Sequence, residues 1–306
     1  MNKLILSLLI LFSATVSLAQ NIEMLVPFPP GGPVDSIARA VRDELQKTLP
    51  YEIAVLNRPG SDGSIAAAEF LNSKTGTTKI LIATTGSTLF NKLTKKSNTS
   101  FDPIDDLHMI GPVAVSSTVI AVSVDSPFQT FKDFVTHSRD HWVNCGTSNA
   151  MATFFAKTLA AKENLKINVV PFRGSADVST NLLGKHIDCA IDAVPQYIEL
   201  SKANRVRIIA LSSIDMSNNF KAPVAVNDVW QFDNFYAVAL SMDMDSTTRK
   251  KIVSALDGLR SNIEFNKNMN LRGFGLPKIN VEFTSRVQKD YQTLTVLKNT
   301  LNLDRE

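Results

Sequence analysis

Two glycine-rich turns lie about 30 residues apart near the N-terminal end of the chain, each after a short apolar run and each opening an apolar-periodic stretch. The first is Pro27-Phe28-Pro29-Pro30-Gly31-Gly32-Pro33, after Ile22 to Val26. The second is Asn57-Arg58-Pro59-Gly60-Ser61-Asp62-Gly63, after Ile53 to Leu56. A buried strand, a tight turn and a helix N-terminus in succession present backbone N–H groups to an anion. Repeated strand–turn–helix units commit the chain to an α/β fold with mostly parallel sheets covered on both faces.

In the first turn the prolines fix φ and the glycines allow close backbone approach, so Phe28, Pro29, Pro30, Gly31 and Gly32 form one candidate seat. Asn57, Gly60, Ser61 and Gly63 form the second, with Asn57 and Ser61 offering side-chain hydrogen bonds. Asp62 would repel an anion and is expected to face solvent or cap the next helix. Either turn alone is equally readable as an ordinary connection. A nucleotide P-loop is excluded because no Gly-Lys-Ser/Thr follows either turn, and no G-x-G-x-x-G is present.

The first 19 residues read as a secretory signal peptide: Lys3, an apolar run from Leu4 to Phe12, then Ser17-Leu18-Ala19. The mature chain is expected to begin near Gln20 and to be long enough for two domains. The net charge of +3 drops by one when Lys3 leaves, which argues against nucleic acid as a partner. Lys92, Lys95 and Lys96 read as a solvated loop. In an oxidising compartment Cys145 and Cys189 invite a disulfide, yet both fall at the ends of expected neighbouring strands, where the geometry is rarely met; the pairing stays open.

The alternation continues with a strand over Lys79–Thr84, ending in Thr84-Thr85-Gly86. Val113–Val124 reads as one strand long enough to cross between domains. A second alternation follows from Phe131 to Leu211, Phe235–Leu240 reads as a returning strand, and helices are expected over Thr247–Ser261 and Ser285–Leu301. Asp192 lies at the end of the apolar run Ile187–Ile191, where open α/β sheets bind ligands; it faces a cleft or caps the next helix. Arg58 and Arg173 suit either a carboxylate or a structural clamp. No hydrolase elbow or H-E-x-x-H is present, and neither the four His, among them His137 and His141, nor the two Cys show metal-ligand spacing.

At this level of detail the chain resembles the substrate-binding proteins of tripartite tricarboxylate transporters, the Bug-type family. Val26 to Asp35 followed by Ala38-Arg39 is similar to the family's first signature, and Asn57 to Gly63 to its second. Phe101-Asp102-Pro103 with Asp106-Leu107, Val170 to Ala176, and Leu182-Leu183-Gly184 with Ile187-Asp188 and Asp192 follow in the family's order. Departures fall at Ser61-Asp62, at Thr147 to Thr153 and around Ala225 to Asp228.

The resemblance implies a two-lobed, type II periplasmic binding protein that closes on its ligand. Lobe 1 would comprise 20–119 and 239–306, and lobe 2 would comprise 120–238. Thr84, Thr85 and Gly86 would line lobe 1 beside the two turns, with Ser148, Asn149 and Asp192 meeting the ligand from lobe 2. The expected role is periplasmic capture of a small carboxylated metabolite for a membrane permease, by a monomer without cofactor or metal. Two other outputs stand beside it: an orphan receptor feeding a sensor kinase, and a secreted hydrolase using Ser148.

Overall fold

Strand β1 (Asn21–Val26) has both faces covered. Ile22, Met24 and Val26 pack to one side and Leu25 to the other, each with no exposed surface. Such a strand can only sit inside a sheet, and β1 pairs in parallel with β2 (Glu52–Asn57) and β3 (Thr78–Thr84). The computed structural model describes residues 21–72, 78–94, 100–212, 234–277 and 283–303. The signal-peptide stretch, Lys95, Lys96 and the Ala225–Asp228 departure lie outside these residues.

Helix α1 (Pro33–Thr48) and helix α2 (Ser64–Leu71) connect the first three strands. Pro33 opens α1, where its missing N–H leaves no extra orphan, and Ile37, Val41 and Leu45 give it a buried face. After β3 a π-helical segment, Gly86–Phe90, runs into the short helix α3 (Asn91–Thr94). The expected crossing strand is two strands: β4 (Met109–Ser116) and β5 (Thr118–Ser123) lie in different sheets, with Ser117 between them. The apolar run is continuous because both strands are buried on both faces, so composition did not reveal the break.

The second alternation runs α4 (Phe131–Asp140), β6 (Val143–Thr147), α5 (Ala150–Glu163), β7 (Ile167–Pro171), α6 (Ser175–Leu183), β8 (Cys189–Ala193), α7 (Ile198–Lys202) and β9 (Val206–Leu211). Thr130 and Asp133 form a capping box that starts α4, and Asn149 caps α5. Strand β8 begins two residues later than the apolar pattern indicated. Strand β10 (Asn234–Leu240) then returns, followed by α8 (Ser246–Ser261), α9 (Ile263–Leu271) and α10 (Phe283–Thr300). Helix α9 escaped the sequence reading.

The first sheet has the order β2-β1-β3-β10-β4 and the second β7-β6-β8-β5-β9. In the first, β10 runs antiparallel to β3 and β4; in the second, β5 runs antiparallel to β8 and β9. Four of the five strands in each sheet therefore point one way, and the reversed strand of each is one that arrives from the other sheet. β10 pairs in the first sheet over its whole length, from Asn234. An apolar cluster joins the two sheets: Phe90 meets Phe154 and Phe155 edge-on, with ring centroids 5.2 and 5.8 Å apart. Helix α10 closes this side with Val287 and Leu294 buried and Phe283 edge-on to Phe235 at 5.0 Å.

Cys145 and Cys189 form a disulfide. They are register partners on the parallel pair β6 and β8, with Cα atoms 4.6 Å apart, inside the range a disulfide spans. The basic cluster also differs from its sequence reading. Lys92 is engaged, paired with Asp102 and lying 4.9 Å over the Tyr291 ring.

Removing the disulfide with Cys145→Ala/Cys189→Ala, which opens a loop of sequence separation 44, is expected to lower unfolding free energy by about 4 kcal/mol. Urea denaturation of the purified protein measures this. An unchanged midpoint at equal m-value would show that the link adds nothing to the native fold.

Candidate functional site

A cavity of about 30 Å³ lies between the two sheets, at the C-terminal ends of their parallel strands. Its first wall is Phe28, Pro29 and the start of α1 (Gly32, Pro33, Val34), with Thr84, Asn234 and Tyr236 behind them. Its second wall is Ser148 and Asn149 ahead of α5, Gly174 to Asp177 at the start of α6, and Ala193. Three helix N-termini thus converge on one space, and among the described residues no Lys or Arg lines it. No side chain caps α1 or α6, so their first-turn N–H groups are oriented toward an incoming acceptor.

The first turn is held from behind. Gly31 has φ +85°, a left-handed conformation that glycine adopts without penalty, and its N–H donates to Asp35 Oδ2 at 3.1 Å. Arg39 donates to both oxygens of Asp35, each at 3.0 Å. Asn57 Nδ2 donates to Phe28 O at 2.9 Å and to Asp35 Oδ1 at 3.1 Å. Burial opposes ionisation of Asp35, but Arg39, the Gly31 N–H and the Asn57 amide hold its carboxyl below the usual carboxylate range. Asn57 therefore positions the first turn with the amide protons expected to meet a ligand.

The second turn does not share the cavity. Gly60, Ser61 and Gly63 line an adjoining outer compartment of about 680 Å³ with Phe172, Arg173 and Asn181; Phe28 and Asp177 border both spaces. Residues 60 to 63 all have positive φ, and Asn91 Nδ2 stabilises the two non-glycines by donating to Ser61 O and Asp62 O. Asp62 does not cap the following helix, whose N-cap is Gly63. Arg58 is a clamp, donating to Glu69 Oε2 at 2.8 Å, and Arg173 pairs with Asp177 at 3.0 Å.

The third loop splits by role. Thr84 lines the cavity, while Thr85 Oγ1 accepts from Phe235 N at 2.8 Å and ties β3 to β10. Gly86 packs against the other half: a Cβ there would lie 3.2 Å from Asn149. A Cβ on Gly174 would lie 3.0 Å from Pro29 Cδ, so the two halves touch across the cavity mouth.

Asp192 is fully buried and does not line the cavity; it stands behind the second wall. Ser148 Oγ donates to its Oδ1 at 2.5 Å, Ser175 Oγ at 2.9 Å and Ala193 N at 2.7 Å, while Tyr197 OH donates to Oδ2 at 3.2 Å. From there Asp192 fixes the positions of Ser148 and Ser175. Burial pushes the Asp192 carboxyl up to about 6, with the four donors pulling it back toward ionisation. Burial also raises Tyr197, helped by the charge of Asp192.

Of the expected site residues, Phe28, Pro29, Gly32, Thr84, Ser148 and Asn149 come together at the cavity, and Pro30 and Gly31 shape the turn beside it. Gly174 to Asp177 carried a legible signal, since they repeat the strand–turn–helix pattern of the first two loops. Ala193, Asn234 and Tyr236 carried none: Tyr236 read as a strand residue, and Ala193 and Asn234 lay just outside the expected strands. Among the described residues no group of three His, Cys, Asp or Glu is placed to hold a metal. His137 and His141 stack on each other, ring centroids 4.6 Å apart.

A carboxyl at 3.8 when unfolded and about 6 when folded binds its proton more tightly in the native state. Stability from this group therefore falls as pH rises from about 4 to about 6 and is level above that. Relative to Asp192→Asn, the wild-type protein is expected to lose up to about 3 kcal/mol between pH 4 and pH 7. Denaturant titrations of both proteins across that range test it; a gap independent of pH would show that Asp192 does not titrate there.

Comparison with known proteins follows the same lines. Residues 37–288 match the model of the tripartite tricarboxylate transporter family receptor. A UPF0065 protein encoded in the tcbD-tcbE intergenic region of Pseudomonas sp. (strain P51) is 29% identical over 208 residues, 64% of this chain and 59% of that protein. The chain thus spans under two thirds of that relative's length. A solved structure of a periplasmic transporter superposes with a TM-score of 0.82 at 22% identity, covering 93% of this chain and 98% of that one. MatC from Rhodopseudomonas palustris with bound malate superposes at 0.76 and 16% identity, covering 90% and 97%. With two five-stranded lobes meeting at a cavity and a family match over most of its length, the chain belongs to the tripartite tricarboxylate transporter receptor family.

Proposed function

We propose that this protein is a periplasmic solute receptor that captures a small carboxylate between its lobes and presents the closed form to the membrane permease of a tripartite transporter. The observation that carries the reading is the convergence of the α1, α5 and α6 N-termini on one interlobe cavity without a lining Lys or Arg. Oriented N–H groups hold a buried carboxylate and offset its desolvation without a counterion side chain. The expected lobes, 20–119 with 239–306 and 120–238, would follow the two sheets with their bounds moved to Ser117 and to Asn234, since β5 belongs to the second sheet and β10 to the first, and would close as rigid halves. The leader over residues 1–19 supports export to the periplasm. A malate-bound structural neighbour supports the ligand class.

Binding rather than catalysis fits the Ser148 environment. Its hydroxyl donates to a carboxylate, and among the described residues no His lines the cavity to act as its base. A monomer working without cofactor is the expected form. An output to a sensor kinase would use the same closure, and the identity of the neighbouring genes separates the two.

Calorimetric titration of the refolded, ligand-free protein with a panel of small mono-, di- and tricarboxylates tests the reading. At least one carboxylate is expected to bind. Gly174→Val, which wedges against Pro29 at the mouth, is expected to weaken that binding by at least about tenfold while the ligand-free melting temperature stays unchanged. No binding by any carboxylate, or equal affinity in the variant, would overturn it.

A further inference from the structure

The two walls of the cavity differ in charge. On the first wall the acidic residue in the opening turn of α1, Asp35, is matched by bidentate Arg39, so the positive end of that helix remains available. On the second wall the N-termini of α5 and α6 face a buried carboxylate, Asp192, that among the described residues makes no salt bridge and is held by neutral donors. A helix end amounts to roughly half a positive charge, so two of them are about cancelled by one carboxylate. Asp177, in the first turn of α6, adds a second acidic group that borders the cavity. Its partner Arg173 is 83% exposed and lies in the outer compartment, where water screens it, whereas Asp177 is 36% exposed.

Hydroxyl direction sharpens the asymmetry. A serine hydroxyl has one proton, and those of Ser148 and Ser175 both go to Asp192, because a carboxylate oxygen only accepts. Ser175 Oγ keeps its lone pairs for the cavity, while Ser148 Oγ also accepts from Asn149 Nδ2 at 3.0 Å and has one lone pair left. Asn234 Nδ2 donates to Tyr236 OH at 3.2 Å, which leaves Asn234 Oδ1 as a further acceptor at the cavity wall. Beside the α6 N–H groups the far wall thus carries acceptor oxygens that can take a hydrogen-bond donor, and Asp177 and Asp192 set its net charge against an anion.

We propose that the ligand is a short zwitterion, held by its carboxylate at the α1 turn and by an ammonium group against Ser148, Ser175 and Asp177, and that simple dicarboxylates are rejected. This rests on the carboxylate-receptor reading above. Among three- and four-carbon carboxylates, those whose second group is ammonium bind most tightly, hydroxyl analogues next and dicarboxylates weakest. Asp177 is the specificity-determining residue, because it alone combines a negative charge with a place on the cavity border.

Calorimetry on the ligand-free protein uses matched sets: β-alanine, 3-hydroxypropanoate and malonate, then 4-aminobutanoate, 4-hydroxybutanoate and succinate, with alanine, lactate and serine covering substitution at the second carbon. The best amino carboxylate is expected to bind at least about tenfold more tightly than its matched dicarboxylate. Asp177→Asn, at a partly exposed side chain, is expected to narrow that ratio by about tenfold, both by removing the repulsion and by freeing Arg173. A dicarboxylate that binds as tightly as the amino analogue, or a ratio unmoved by Asp177→Asn, overturns the proposal and leaves the receptor reading standing. Absence of binding by every carboxylate in both panels overturns the receptor reading, and this proposal with it.

Discussion

A buried carboxylate must have its oxygens satisfied, and this protein is organised around two that lie behind the walls of one cavity. Asp35 binds a guanidinium, a turn N–H and a side-chain amide. Asp192 binds three hydroxyls and one backbone N–H. Each ties together segments far apart in sequence: Asp35 draws the β2 end onto the first turn, and Asp192 joins the ends of β6 and β8 to the start of α6. Without these groups the turns would have no reason to hold one geometry, since a short polar loop gains little from packing.

That arrangement explains how a cleft lined, among the described residues, by no Lys or Arg is suited to an anion. Helix N-termini supply fixed partial charge that needs no rearrangement when an anion arrives. The apolar seam around Phe90, Phe154 and Phe155 packs the same two segments, Gly86–Phe90 and α5, together further along. It keeps the halves in contact near the π-helical segment while the loops at Pro29, Gly174, Gly86 and Asn149 meet at the mouth. The disulfide between β6 and β8 stiffens the strands that carry Ser148 and Asp192, so the second wall is a rigid surface.

Much of this was legible from local pattern. Pro33 and the α1 apolar stripe, the buried run of β1 and the Gly31 turn are encoded by neighbours in sequence, because helix starts, strand burial and positive φ are local constraints. The same grammar at Val170 to Ala176 was readable but pointed to no role until Gly174 was found against Pro29. The break at Ser117 was not readable, because a chain passing from one buried strand to another keeps the same composition. Asn57 was read as a ligand partner as part of the second turn, and Asp192, at a strand end, as facing a cleft or capping the next helix. Which way such a side chain turns depends on a partner 22 residues away in one case and 44 in the other.

The sequence by itself determined the strand–turn–helix units, the α/β class, the loops from which the first wall is built and the absence of recognised catalytic motifs. Only the tertiary structure decided that the two glycine turns line separate compartments, that Cys145 and Cys189 are register partners, and that Asn234 and Tyr236 reach the cavity. It also decided that Ser148 and Ser175 turn their protons inward to Asp192. The physical reason is the same throughout. Backbone conformation follows from adjacent residues, whereas the direction of a hydrogen bond and the sign of a cavity wall follow from groups that meet only when distant strands pair.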